Sequence, residues 1–355
     1  MPRPLNLLLS AVVSASLTAS AAFAAPTFDK VNMTIDEEPI VPALARSLGC
    51  LARERIALNV IDILALVPED YEMQVPLHDG RVDVAYHWFN HTVFGARHKL
   101  PVIGVMNFND APGMTVFVAN AKRGEIRSPA DFSGRGVASG ALYGTKSVIT
   151  AALAAKYGVA QSGYRQEAIE TEGRQQAVER GLKSGSIDVV TSEEPLTTAV
   201  AATGDATPLY KLTDRASTTR VLGASWPAQS LLMAPKFLTA RPAVAQRVVN
   251  AFVCAMRFVN SHDAAAIVAR LPADYLAGKD KAALIREVAV ALPTFAKGDY
   301  RFRRADVALT TRAIEAFRFD DSPEGNWRSA SKGGPVDPAK LYDNRLVAKA
   351  MARIK

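Results

Sequence analysis

Cysteine is nearly absent: Cys50 and Cys254 are the only two in 355 residues. That is too few for a cysteine-held metal knuckle or a disulfide-built scaffold. Histidine is also sparse, with five in the chain. No H-E-x-x-H and no G-x-S-x-G can be found, so the usual zinc-peptidase and hydrolase signatures are missing. Gly134-x-Gly136 precedes its strand instead of following it, which removes a dinucleotide fingerprint. Beyond the first residues no apolar run has the length of a membrane span. What remains, 49% hydrophobic and 22% charged, is the composition of a globular protein with room for two domains.

The N-terminus reads as an export signal. Arg3 supplies a weak positive start, residues 5–17 are largely apolar, and small residues end in Ala22-Phe23-Ala24. Cleavage is expected after Ala24, giving a periplasmic protein. No cysteine stands at the cut to carry a lipid. The formal charge is +7, with a basic cluster at Arg301-Phe302-Arg303-Arg304. An exported chain does not meet nucleic acid, so this cluster reads as a solvated helix start. An oxidising compartment permits a Cys50–Cys254 disulfide, while apolar helical surroundings suit two buried thiols equally well.

One pattern occurs twice. Gly80-Arg81-Val82-Asp83-Val84-Ala85 returns as Gly185-Ser186-Ile187-Asp188-Val189-Val190. Glycine ends a helix in the left-handed conformation, and the β-branched run after it predicts a short buried strand. The flanks repeat too. Strand 30–35, the helix after Pro39 stopped by Gly49, strand 56–64 and a helix ending at residue 79 precede the first copy. Strand 136–139, helix 146–157 stopped by Gly158, strand 167–171 and helix 173–184 precede the second. Two α/β units with parallel-sheet character follow. Residues 102–118, broken at Asn109-Asp110-Ala111-Pro112-Gly113, predict a crossing between the units, and residues 223–227 predict the return. A long helix is expected from Pro242 to residue 262, and residues 322–337 as a surface loop.

Several segments resemble a family: the periplasmic solute-binding proteins of ABC importers in the sulfonate, nitrate and thiamine-precursor group. They are the helix Ile40-Val41-Pro42-Ala43-Leu44-Ala45-Arg46-Ser47-Leu48-Gly49; Ser128-Pro129-Ala130-Asp131-Phe132-Ser133-Gly134-Arg135-Gly136-Val137; the second repeat copy with Glu194-Pro195; and Phe237-Leu238 followed by Arg241-Pro242. The resemblance spans residues 31–258. It implies an α/β fold of the two-lobed type II periplasmic binding class with two hinge crossings. A signal peptide at 1–24, a first lobe from 25–112 and 226–355, and a second lobe from 113–225 are then expected. The implied partners are a small-molecule ligand and an ABC permease in the inner membrane, with the protein a monomer.

Ligands in such folds sit at strand ends and helix starts. After the first strand stand Glu37 and Glu38, which either meet a ligand or cap the helix. After the first repeat copy, His87 and Trp88 precede Phe89 and Asn90. His87 and His91 have the i, i+4 spacing of a metal pair, but no third ligand is visible and no metal is expected. The segment with Ser139, Gly140, Tyr143, Gly144, Thr145 and Lys146 opens a helix whose free N–H groups suit an anion. After the second copy come Ser192, Glu193 and Glu194, with Glu172 nearby; one acid faces the cleft and another caps the helix after Pro195. Asn109, Asp110 and Trp226 lie on the crossings. The helix start at Thr145 favours an anion and the acids favour an amine, so the ligand's charge stays open.

The expected function is capture of a small organic ligand, aromatic, heterocyclic or zwitterionic, with sulfonate or carboxylate among its options. No catalytic residue and no cofactor is expected. An enzyme of thiamine-precursor metabolism is the alternative. However, the fungal relatives that make the thiamine pyrimidine carry a Cys-rich iron motif that two cysteines cannot build. A periplasmic sensor would use the same binding chemistry with a different membrane partner.

Overall fold

The structure, a computed structural model, describes residues 27–35, 39–67, 73–140, 144–169, 174–317 and 335–353. The expected signal peptide and most of the expected 322–337 loop lie outside them.

The first sheet holds β1 (Asp29–Ile35), β2 (Ile56–Asp62), β3 (Val84–Trp88), β4 (Ile103–Asn107) and β10 (Gln229–Met233), in the order β2-β1-β3-β10-β4. The second holds β5 (Met114–Ala119), β6 (Gly136–Ala138), β7 (Arg165–Glu167), β8 (Val189–Ser192) and β9 (Ala206–Leu212), in the order β7-β6-β8-β5-β9. The helices are α1 (Ile40–Ser47), α2 (Cys50–Arg53), α3 (Gln74–Asp79), α4 (Asn90–Arg97), α5 (Thr145–Lys156), α6 (Arg174–Ser184), α7 (Leu196–Thr203), α8 (Arg215–Leu222), α9 (Pro235–Ala240), α10 (Pro242–Ser261), α11 (Ala264–Val268), α12 (Ala273–Leu276), α13 (Lys281–Ala291), α14 (Arg304–Ala316) and α15 (Arg345–Arg353). This is the two-lobed α/β architecture with two crossings, at residues 108–113 and 223–228.

The repeated pattern is a register device. Gly80 and Gly185 both take positive φ, 77° and 76°. Three residues on, each aspartate grips the first strand of its own unit at two points. The Asp83 N–H donates to Asn32 O at 2.9 Å, and Asp83 Oδ2 accepts from Asn32 N at 2.9 Å. The Asp188 N–H donates to Gly136 O at 2.8 Å, and Asp188 Oδ2 accepts from Gly136 N at 2.9 Å. Two bonds to one residue forbid a slip of the pairing, which would turn every side chain to the wrong face.

Two expectations need correction. The sheets are mixed: each crossing delivers an antiparallel strand into a sheet's interior, β10 between β3 and β4, and β5 between β8 and β9. The strand expected at 167–171 lies earlier, at Arg165–Glu167, where it pairs with β6 at the sheet's edge. An edge strand exposes one side and needs no apolar run to mark it. Helix α8 is begun by a capping box in which Asp214 accepts from Ser217 N.

The main core lies between the first sheet and α10, which buries Val248, Phe252, Met256 and Val259. Cys50 and Cys254 are joined in a disulfide that ties α2 to α10, with Cα atoms 6.0 Å apart. The second cluster crosses the units: Phe89 and Val93 share it with Met114, Val189, Phe302 and Ile314. Helix α14, expected with the first lobe, packs against both α4 and α5.

Asp188→Ala leaves the buried Gly136 N–H without its acceptor and should cost about 1.5–3 kcal/mol. Urea unfolding measures this, and a loss below about 0.5 kcal/mol would contradict the register role.

Candidate functional site

Strand register defines one edge. Ile35, Tyr86, Leu231 and Met106 form a row across β1, β3, β10 and β4. One or two residues further lie Trp88, Gln229 and Asn107. In the second sheet Ala138, Val190 and Phe117 are level, so Ser139, Thr191 and Ser192 lie beyond them. The two edges meet where Asn90, the first residue of α4, donates from Nδ2 to Oγ1 of Thr145, the first residue of α5, at 2.7 Å. Two helix starts from different units thus join across the cleft.

On the second unit, α5 begins after Gly144 with no side-chain cap and no acid in its first turn. A helix start without a side-chain cap among the described residues suits an added acceptor. Lys146 from that turn forms an ion pair with Glu193 beyond β8. Ser139 and Ser147 are hydrogen-bonded at 2.8 Å, and Ser192 bonds to Thr197 at 2.8 Å. Glu194 accepts from the Thr198 N–H at 3.2 Å and so serves the start of α7. The two acids thus divide, one paired at α5 and one capping.

On the first unit, the neighbours His87 and Trp88 are separated by the pleat. His87 is buried, with its ring 4.2 Å from His91 of α4 and its Nδ1 accepting from Trp88 N at 2.9 Å. Trp88 is half-buried against the cluster shared with the second unit. Trp226 is completely buried, and its indole N–H has no hydrogen-bond partner. Glu37, Glu38, Tyr143 and Glu172 lie outside the described residues. No group of three or more His, Cys, Asp or Glu placed to hold a metal ion occurs among the described residues.

The crossings are zipped together. Ala228 N donates to Asn109 O at 3.1 Å, and Phe108 N to Gln229 O at 2.9 Å. Asp110 accepts from Asn107 Nδ2 at 3.0 Å and lies 3.6 Å from Arg215. Burial pushes the Asp110 carboxyl above the usual carboxylate range, against the pull of Arg215 and Arg303. Asp306 of α14 accepts from Arg215 at 2.8 and 3.3 Å and from Ser225 N at 3.0 Å. This carboxylate pins α8 and the return crossing together.

Sequence reasoning missed two groups at this edge: Asn107 and Gln229. Each has a buried side-chain oxygen with no hydrogen-bond partner, as do Asn90 and Asn109. An unmet buried acceptor costs roughly 1–3 kcal/mol, which makes these strand-end groups candidates for contact with a ligand. A concavity of about 630 Å³ lies elsewhere, along β2 and α1. Its lining of Phe28, Pro42, Leu58 and Val60 is apolar, with Arg46, Asp62 and Asp274 as its charged members.

Residues 59–266 match the NMT1/THI5-like family over more than half of the chain. The chain belongs to the NMT1/THI5-like family. No curated protein matches it. Among solved structures, this NMT1/THI5-like chain is similar to a protein from Bordetella bronchiseptica RB50, at 22% identity and TM-score 0.67, covering 91% of this chain and 97% of that one. It is similar to the periplasmic aliphatic sulphonate binding protein SsuA from Escherichia coli, at 16% identity and TM-score 0.65, covering 89% and 92%. It is also similar to the desulfurization enzyme DSZB, at 16% identity and TM-score 0.56, covering 92% and 100%. At these identities the likeness is one of fold, and the fold serves binding proteins and an enzyme alike.

Arg215→Leu strands the buried Asp306 carboxylate and should cost about 3 kcal/mol in chemical unfolding. A change below about 0.5 kcal/mol would remove Asp306 as the pin of the return crossing.

Proposed function

We propose that this protein is a periplasmic solute-binding protein that closes its two lobes over a small organic ligand and presents it to an ABC importer. The lobes are residues 25–112 with 226–355, and residues 113–225. The observation that carries this reading is the Asn90–Thr145 hydrogen bond, which joins the ligand-binding edges of two units linked by only two crossings. Family membership and the fold shared with SsuA support it. The ligand stacks on Trp88, and its polar edge reaches the α5 start and the Lys146–Glu193 pair. Glu193 is already matched in charge, so binding is not a simple capture of a cation by a lone carboxylate.

The enzyme reading rests on the thiamine-precursor relatives and on the fold shared with DSZB. At the cleft, Ser139 is hydrogen-bonded to Ser147 and Thr191 to Thr150. Cargo transfer without turnover is the reading favoured by the fold shared with SsuA.

Small molecules released from the purified protein by denaturation should include one that rebinds and raises its melting temperature. Trp88→Ala and Glu193→Ala should each weaken that binding about tenfold, as expected for losing one stacking or polar contact of about 1.4 kcal/mol. Unchanged affinity in both variants would show that these two loops do not line the ligand site. Conversion of the released molecule by the protein would favour the enzyme reading.

A further inference from the structure

The two sheets end in four edge strands, and three of the edges are closed to further pairing. Beside β4, Gly104 N donates to Leu341 O at 2.9 Å and Gly104 O accepts from Asp343 N at 2.8 Å, so the C-terminal segment covers that edge. Strand β7 has only three residues, two of them charged, Arg165 and Glu167. Strand β9 carries Pro208 and Lys211, and its pairing with β5 skips Leu209. Shortness, charge, proline and bulges are the ordinary ways of blunting an edge.

Strand β2 has none of them. It pairs with β1 over seven residues without a break, and Ile56 to Ile61 hold no charge and no proline. No other strand pairs with it among the described residues. Asp29 N donates to Arg55 O at 2.9 Å, so the ladder to β1 uses Ala57, Asn59 and Ile61. The N–H and C=O groups of Ile56, Leu58, Val60 and Asp62 therefore point outward. The side chains of these same four residues line the apolar concavity of about 630 Å³. Three of the five exposed large apolar side chains among the described residues stand here: Val60 on the strand, Phe28 across the concavity and Leu64 in the turn after it.

We propose that β2 is a self-association edge, at which a second copy of this chain pairs antiparallel about a two-fold axis at Asn59. The strand is complementary to itself. With Asn59 opposite Asn59, all seven residues find a partner, and the outward groups of Leu58 meet those of Val60. A shift of two residues either way leaves two strand residues of each copy unpaired. Arg55 and Asp62 bracket the uncharged stretch, so antiparallel overlap brings the positive end of each copy to the negative end of the other. Like faces adjoin, and the two concavities meet as one apolar trough. The crossings leave from β4 and return through β10, at the opposite side of the sheet, so the hinge of each copy stays free. This departs from the monomer expected from the family resemblance.

The test is sedimentation equilibrium on the purified mature chain. Self-association to a dimer with Kd below about 100 μM is expected, and weaker association overturns the proposal, whatever else the edge pairs with. Val60→Lys adds a charge to the edge, and Val60→Pro removes one outward N–H without touching the ladder to β1. Each should weaken the dimer tenfold or more, with unfolding midpoints confirming that both variants fold. A dimer unchanged in both folded variants places the interface elsewhere and overturns the proposal. The register has its own test. Facing residues of a non-hydrogen-bonded antiparallel pair have Cα atoms about 4.5 Å apart, within reach of a disulfide. Asn59→Cys should therefore oxidise to a covalent dimer linked at position 59, while Val290→Cys, an exposed position on α13, should not. Equal cross-linking at both positions, or none at 59, contradicts the two-fold at Asn59.

Discussion

Each half of the molecule depends on one aspartate holding a neighbouring strand at two points. Asp83 bonds both backbone groups of Asn32, and Asp188 both of Gly136. The glycine three residues before each aspartate turns the chain out of a helix with positive φ. The aspartate then locks the incoming strand against the first strand of its unit. With that register fixed, the strand exits are level, and Trp88, Asn107 and Gln229 fall on one edge. Every feature of the cleft inherits its position from this pairing.

Local chemistry explains which parts were legible in the chain. The left-handed glycines, the β-branched strands of the repeat and the Gly49 and Gly158 helix stops are written in adjacent residues, and the two units follow from them. The antiparallel strands β5 and β10 were not legible in that way. Their partners lie far off in sequence, and only the path of the crossings decides where they insert. Strand β7 escaped because an edge strand such as Arg165–Glu167 carries no apolar signature.

The site divides along the same line. Thr145, Lys146, Ser192 and Glu193 were visible as residues at a helix start and a strand exit. His87 and Trp88 were equally visible, but the strand's period of two sends them to opposite faces, one under α4 and one toward the second unit. Asn107 and Gln229 carry no local signal of function. The return strand β10 sets Gln229 beside Trp88, and the turn after β4 brings Asp110 to the Nδ2 of Asn107. The Cys50–Cys254 disulfide belongs to this class as well, since residues 204 apart meet only in the folded core.

The proposed function depends on how freely the two units move about their crossings. The zipped pair at Asn109 and Ala228, the Asp306 pin and helix α14 hold the hinge region together, while the Asn90–Thr145 bond is the contact that opening would break. Small-angle X-ray scattering on the mature chain, with and without a saturating ligand, addresses this most directly. Closure over a ligand predicts a smaller radius of gyration when the site is filled. Saturated binding with an unchanged radius and scattering profile would contradict it.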